Sequence, residues 1–526
     1  MSPNVNIGPV ARLIDQADSL AAAWHARAHI STTVGQERAL LRLFGVHGLD
    51  RSSRPLASEV VDRYLAGGPL RLGSGIVLPF TAALLEYDLS PQALALEVAA
   101  GTIDLGLEAE LLRDAGRRAA AEAHATTLAT AARERIDANR TARRELLDLL
   151  GDAPMPWAGV PIVATDAETA RSAIRSLTRD GADLIRVTVP VGRELAGLLH
   201  DVGIDVPGEP SYDSRGRRAP DEPAPSGSQR GLAILRRAAD EAAAERRSYV
   251  RLATVAPGLA APEQAVVAAF ERIDVVAADP VAEIVDGRVD PDRALADHAF
   301  AHRLYQRAGS LIFISAGPLV VAPDLSKGVP SSAATRAGRS LALQMLSVAL
   351  ARHAGVAADQ LVPSALPRWL VDEPDSASLA IAQVVVRRAV FEDHPLAFAE
   401  PVREPGSVTD AAVAYWTLLV GASLPFAGRV AFIARDTEWS LGGDARTIRA
   451  ASDIAAAVAG STDPHAIHGP VLELARATVE AATRTLEQLS DVGWRAILGE
   501  SLGGPSVERL GADAVVERTE GFDPLA

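Results

Sequence analysis

The 526-residue chain contains no cysteine. Disulfides, iron–sulfur clusters and thiolate zinc sites are therefore excluded, although its eleven histidines leave metal binding with carboxylates open. Aromatic residues make up only 4%. Packing must rely on small aliphatic side chains, and the heavy use of alanine favours helices. Positive charge is also short: 52 Lys and Arg stand against 67 Asp and Glu, a net charge of -15. A general nucleic-acid binder shows a basic face, so no nucleic-acid partner is expected. No apolar run approaches the roughly 18 residues that span a bilayer. The start, MSPNVNIGPVARLIDQADSL, carries Arg12, Asp15 and Asp18 and lacks the apolar core of a secretory signal. A cytoplasmic protein with no membrane partner is the expectation. There is no Walker loop, no G-x-S-x-G and no dinucleotide fingerprint.

What is present is a chain with 48% hydrophobic residues, long enough for two or three domains or one large barrel with extensions. Residues 1–150 read as helices, and no strand pattern stands out there. Ser90, Pro91 and Gly101 predict an N-cap, a first turn and a stop around SPQALALEVAAG. From residue 151 to about 440, short apolar strands alternate with helices. They are VPIVAT, ADLIRVTVPVG, YVRLATV, IDVVAAD, SLIFISAG, the weaker QLVPSAL, and RVAFIAR. The strand after SASLAIAQVVVRRAVF is not legible. Residues 208–229, crowded with Pro, Gly and charge, read as a long loop. Residues 441–526 return to helix and end in a tail that is an ordered arm or a mobile end.

Buried strands separated by helices imply parallel pairing with right-handed crossovers. An α/β fold with a TIM-type (β/α)8 barrel and helical N-terminal and C-terminal extensions fits the count and the length. A doubly wound open sheet is the alternative. The expected domains are 1–150, 151–440 and 441–526.

A barrel places its reacting groups at the C-terminal ends of its strands. That rule selects Thr188, Arg193, Thr254, Asp279, Ser315, Ser364, Arg435 and Asp436. Some of these would only cap the next helix, and Asp279 before Pro280 suits that role. His298 and His302 share a helix face at i, i+4, but no third metal ligand stands at a recognisable spacing. Gly317 makes a turn in SAGPLVV whose N–H groups suit a phosphate, and an ordinary barrel turn explains it equally well. DPHAIHG, 463–469, approaches the Asp-x-His-x-x-Gly signature of cobalamin ligation, but Gly469 comes one residue late. A capping turn is the better reading.

Three N-terminal stretches, ISTTVGQERALLRLFGVHGLD, LRLGSGIVLPFTAALL and SPQALALEVAAGTIDL, resemble the alpha subunit of D-lysine 5,6-aminomutase. GADLIRVTVPVGREL, SYVRLATVAPGLAAPEQAVVAAFERIDVV and DHAFAHRLYQRAG resemble its barrel, and LGGPSVER its tail. The resemblance implies a barrel subunit that pairs with a cobalamin-binding beta-type subunit. It also implies adenosylcobalamin to start a radical and pyridoxal phosphate to carry a 1,2 amino shift on a small amino-acid substrate. The partner would supply the lysine that anchors pyridoxal phosphate, which fits a chain whose hard chemistry belongs to cofactors. The family's phosphate-gripping arginine and serine align, through Gly181 and Gly192, with Val189 and Glu194. Its stacking tyrosine falls on Ala282, a serine near the ring on Pro257, and an acidic pair on Pro318 and Leu319. Asp279 and Glu263 match acidic positions. A carboxylate at Glu194 repels a phosphate that a serine would bind, which makes Arg193 the expected phosphate cation. Arg186 is expected on the opposite strand face from residue 189.

Overall fold

A computed structural model describes residues 7–48, 55–68, 70–163, 167–188, 229–255, 261–285, 289–317, 332–367, 376–399, 410–434, 469–494, 515–519 and 522–525, with a few isolated positions. The N-terminal region consists of α1 (Val10–Ile30), β1 (Ser31–Thr33), α2 (Val34–Leu43), α3 (Leu56–Leu65), α4 (Leu70–Ser74), α5 (Val77–Tyr87), α6 (Pro91–Ala100), α7 (Leu105–Leu111) and α8 (Ala115–Leu150). The signals around α6 act as expected. Ser90 Oγ accepts from the Ala93 N–H at 3.3 Å, Pro91 opens the helix, and Gly101 ends it at φ 80°.

The alternating segment follows. It runs β2 (Trp157–Val163), α9 (Ala167–Arg179), β3 (Leu184–Thr188), α10 (Gln229–Arg246), β4 (Arg251–Val255), α11 (Ala261–Phe270), β5 (Val275–Ala277), α12 (Pro280–Val285), α13 (Pro291–Ala308) and β6 (Leu311–Ile314). It continues through α14 (Ala333–His353), β7 (Leu361–Pro363), α15 (Ser376–Val390), β8 (Leu396–Ala399), α16 (Asp410–Ala427) and β9 (Val430–Ala434). The last elements are α17 (Gly469–Val492) and β10 (Val515–Glu517).

Strands β2 to β9 form one parallel sheet in the order β7-β6-β5-β4-β3-β2-β9-β8. A parallel bridge between Ser364 and Ala397, with the Ala365 N–H donating to the Ala397 carbonyl at 2.7 Å, joins the two outer strands. The sheet is therefore a barrel and not an open doubly wound sheet. The strand missing from the sequence pattern is β8, four residues long and buried at three of them.

Polar groups seal the N-terminal end of the barrel. The Arg251 guanidinium lies 3.6 Å over the Trp157 ring and pairs with Asp152 at 2.7 Å. Asp274 accepts from Arg143, Arg236 and Tyr249, each at 2.8 Å, and from the Leu252 N–H at 2.9 Å. Burial works to raise its pKa, but Arg143, Arg236 and the Leu252 amide outweigh that and hold the carboxyl below its ordinary range.

The N-terminal region docks through buried polar contacts. Arg42 pairs with Glu263 at 2.9 Å, Thr33 donates to Asp297, and Gln36 Nε2 donates to the Ala296 carbonyl at 2.7 Å. The expectation of no strand in this region needs correcting. β1 pairs antiparallel with β10, about 480 residues away in sequence, and its three residues become a strand only because the C-terminal arm reaches them.

Candidate functional site at the barrel mouth

TIM barrels ordinarily fill their lumen with bulky branched side chains. Here Gly159, Ala253, Ala277, Ala399 and Ala434 line the lumen, and a cavity of about 100 Å³ remains. Gly159 is required: a Cβ there would stand 2.7 Å from the Ala434 Cβ on the paired strand. Phe313 and Phe432 face the same cavity with ring centroids 5.5 Å apart. Arg186 also lines it. Alternation from Leu184 turns this arginine inward, which makes it the cation that the strand-end rule passed over.

The candidates from the sequence separate clearly. Arg193, Arg435 and Asp436 lie outside the described residues, as do Val189, Glu194, Pro257, Pro318 and Leu319. Thr188 ends β3, and nothing is described of its side chain. Thr254 contributes to the cavity wall, but its hydroxyl accepts from Gln264 Nε2 on α11 at 3.2 Å. Ser364 is 3% exposed and donates to the Leu366 carbonyl at 3.1 Å. Asp279 and Ser315 come together: Ser315 Oγ donates to Asp279 Oδ2 at 2.5 Å. Asp279 also caps α12 by accepting from the Ala282 N–H at 3.0 Å, and it accepts from Ser347 Oγ at 2.5 Å. Asp279 thus acts as the helix cap that its place before Pro280 suggested, and it ties Ser315 at the end of β6 to Ser347 on α14.

Ser347 belongs to a polar stripe on α14, with Ser340 and Gln344, that faces the strand ends. Ser340 Oγ donates to the Ala316 carbonyl. Gln344 Nε2 donates to the carbonyls of Ser364 at 3.0 Å and Ile314 at 3.4 Å. Behind them the fully buried Arg387 donates to Gln344 at 2.9 Å, to Gln383 at 2.6 Å and to Ser340 at 3.4 Å. Gly317, at φ 95°, lies so close to Ser340 that a Cβ would meet it at 2.9–3.0 Å. Sequence reasoning missed this stripe because polar residues inside a long apolar helix carry no local signal of what they face.

His298 and His302 sit on one face of α13, both 1% exposed. His298 Nε2 bonds Glu283 at 2.8 Å. Burial works against its charged form, but Glu283 outweighs burial and raises its pKa. Burial, then the charge of His298, pushes His302 well down. No group of three or more His, Asp or Glu that could hold a metal occurs among the described residues. DPHAIHG lies outside them except for Gly469. Among the described residues no helix is long and apolar enough to cross a membrane.

Residues 4–413 match the family described as the D-lysine 5,6-aminomutase TIM-barrel domain of alpha subunit. The chain belongs to that family. The lysine 5,6-aminomutase alpha subunit of Fusobacterium nucleatum is 28% identical over 404 residues, covering 75% of this chain and 71% of the relative. That of Acetoanaerobium sticklandii is 27% identical over 378 residues, covering 71% of this chain and 66% of the relative. Two dihydropteroate synthase structures are also similar. The one from Anaplasma phagocytophilum has TM-score 0.34 and 13% identity, covering 57% of this chain and 98% of its own. The one from Yersinia pestis has TM-score 0.32 and 12% identity, covering 59% of this chain and 93% of its own.

Membership of the aminomutase family gives the remaining aligned positions a context. Ala282, at the aligned position of a stacking tyrosine, is half-buried on α12 and offers no ring. Glu263 is fully buried in its ion pair with Arg42, which commits it to docking the N-terminal region. The described lumen does not fit a pyridoxal phosphate ring. Its 100 Å³ falls short of the ~150 Å³ apolar cavity that admits benzene.

Proposed function

We propose that this chain is the barrel subunit of an adenosylcobalamin-dependent aminomutase that moves an amino group between adjacent carbons of an amino acid. The observation that supports this reading is the family match over 4–413, joined to a lumen cavity that reaches the strand ends at Val255, Ala277, Ala399 and Ala434, where barrels place their chemistry. A beta-type partner would bind cobalamin and bring it to the mouth. The enzyme class would be an intramolecular isomerase, and the site would lie among Arg186, Asp279, Ser315 and the strand ends that carry Thr254 and Ser364. Ser364 and Thr254 would shape the wall. Arg193 and Arg435 remain proposed mouth residues on the same rule that selected them.

The chain's own contribution is binding, orientation and exclusion of water. The apolar lumen takes one end of the substrate, Arg186 supplies positive charge inside it, and the rim braced by α14 fixes polar groups around the opening. Pyridoxal phosphate, if the assembled enzyme binds it, would supply the chemistry of the amino shift.

Co-expression with the cobalamin-binding subunit of the same genome tests the reading. Formation of a cobalamin-bearing complex that shifts the amino group of lysine or a shorter diamino acid, followed by NMR, is the expected result. Failure to form any complex counts against it. A second reading is a non-catalytic or divergent paralogue that binds the partner or another small metabolite without pyridoxal phosphate. Ala282, where the resemblance places a stacking tyrosine, favours it. A stable complex holding cobalamin, with no migration on any diamino acid, would select that second reading.

A further inference from the structure

The hydroxyl of Ser315 has one proton and two lone pairs. Its proton is committed: Oγ donates to Asp279 Oδ2 at 2.5 Å. Asp279 has no hydrogen to give back. As a carboxylate it accepts this bond, the Ala282 N–H at 3.0 Å and the Ser347 hydroxyl at 2.5 Å. A backbone N–H can only donate, so Asp279 is fixed as an acceptor on that side.

The backbone that carries Ser315 is held on both sides. Both neighbouring carbonyls are held from α14, that of Ile314 by Gln344 and that of Ala316 by Ser340. Arg387 braces both of those side chains from behind. Ser315 itself is half-buried and stands two residues beyond Phe313, which faces the lumen. With its proton given to Asp279, Ser315 Oγ at the end of β6 keeps only acceptor capacity, with a carboxylate one bond behind it.

We propose that Ser315, oriented by Asp279, is a specificity-determining acceptor that selects a ligand amine at the β6 edge of the barrel mouth. An ammonium group satisfies the lone pairs and is favoured by the charge of Asp279. A carboxylate or phosphate oxygen meets lone pairs and is repelled. This deepens the proposed function and rests on reading the C-terminal mouth as the ligand site.

The test uses the full chain and two probes of equal length, butylammonium and butyrate, titrated by saturation-transfer NMR. Because Arg186 is common to the wild type and Ser315→Ala, the ratio of the two affinities is compared between them, and the wild type is expected to favour butylammonium over butyrate about tenfold more than Ser315→Ala does, the size of one charge-assisted hydrogen bond. Asp279→Asn retains the helix cap but lets its amide donate to Ser315, which frees the serine proton for the mouth. That variant should shift the preference toward butyrate. Thermal melts confirm that each variant is folded, and if Asp279→Asn is not, Ser315→Ala decides alone. The proposal is overturned if neither probe binds or if Ser315→Ala changes the affinity ratio by less than about twofold. Amino migration by the partnered enzyme without that change in ratio would sink the acceptor role alone. The change in ratio without migration on any diamino acid would sink the proposed function and leave the acceptor role standing.

Discussion

Among the described residues Arg387 is the bulkiest side chain buried completely, and its hydrogen-bond partners Gln344, Gln383 and Ser340 are neutral. Burial alone pulls its pKa down to about 9. Arg387→Met removes the charge but strands the two glutamine carbonyl oxygens in an apolar layer. A loss of about 2–4 kcal/mol in urea unfolding is expected, because unmade buried hydrogen bonds cost more than a buried methionine returns. His394 carries a different message. Burial first, and Arg352 second, lower its pKa from 6.5 to about 4. A depressed folded pKa gives stability that is present above the unfolded value and is lost as pH falls from about 6.5 to 4. Asp297 has the opposite sign: burial raises it from 3.8 to about 6, so its contribution is present at low pH and lost as pH rises through 6. His394→Phe is expected to flatten the loss of melting temperature between pH 6.5 and 4 relative to wild type. An unchanged acid slope would show that His394 does not carry it. At this scale the strand-end rule selected Asp279 and Ser315, which the fold brings into one hydrogen bond. It could not find Ser347, which meets Asp279 from the middle of a helix 68 residues later.

Among the elements, α14 does most to connect the rim to the outside of the barrel. One face holds the strand ends, and another packs on α17. Gly338 is where the two helices meet most closely. A Cβ there would lie 2.4 Å from the Ala481 Cβ and 2.6 Å from the Thr478 carbonyl oxygen. Gly338→Ala should therefore cost about 1–3 kcal/mol through overpacking, despite the better helix propensity of alanine. A gain in chemical stability would contradict this contact. Helices with caps and periodicity, such as α6, were legible because their signals are local. The strand β8 was not. Its LAFA is too short to show a period, and only pairing with β9 on one side and bridging to Ser364 on the other make it a stave.

Across the whole molecule, the two ends of the chain are stitched together. β1 and β10 pair, Arg518 donates to Gln36 at 3.0 Å, and Arg303 pairs with Asp523 at 2.8 Å. Phe522 and Leu525 pack on the core beside them. Truncation before Val515 should lower the melting temperature by several degrees and open the segment around Ser31–Thr33 to proteolysis. A truncated chain that melts as the full chain does would show the arm to be dispensable. The sequence by itself determined an α/β fold on a parallel sheet, since alternating short apolar strands and helices admit few arrangements, and left a barrel and an open sheet as the choices. It also determined that no cysteine chemistry is available, and which residues stand at strand ends. Tertiary structure alone decided that the sheet closes through Ser364 and Ala397, that small side chains leave the lumen partly empty, and that Arg186 points into it. It also decided the polarity of Ser315. Closure, cavity and hydrogen-bond direction all depend on residues far apart in the chain meeting in space, and no local pattern encodes such a meeting.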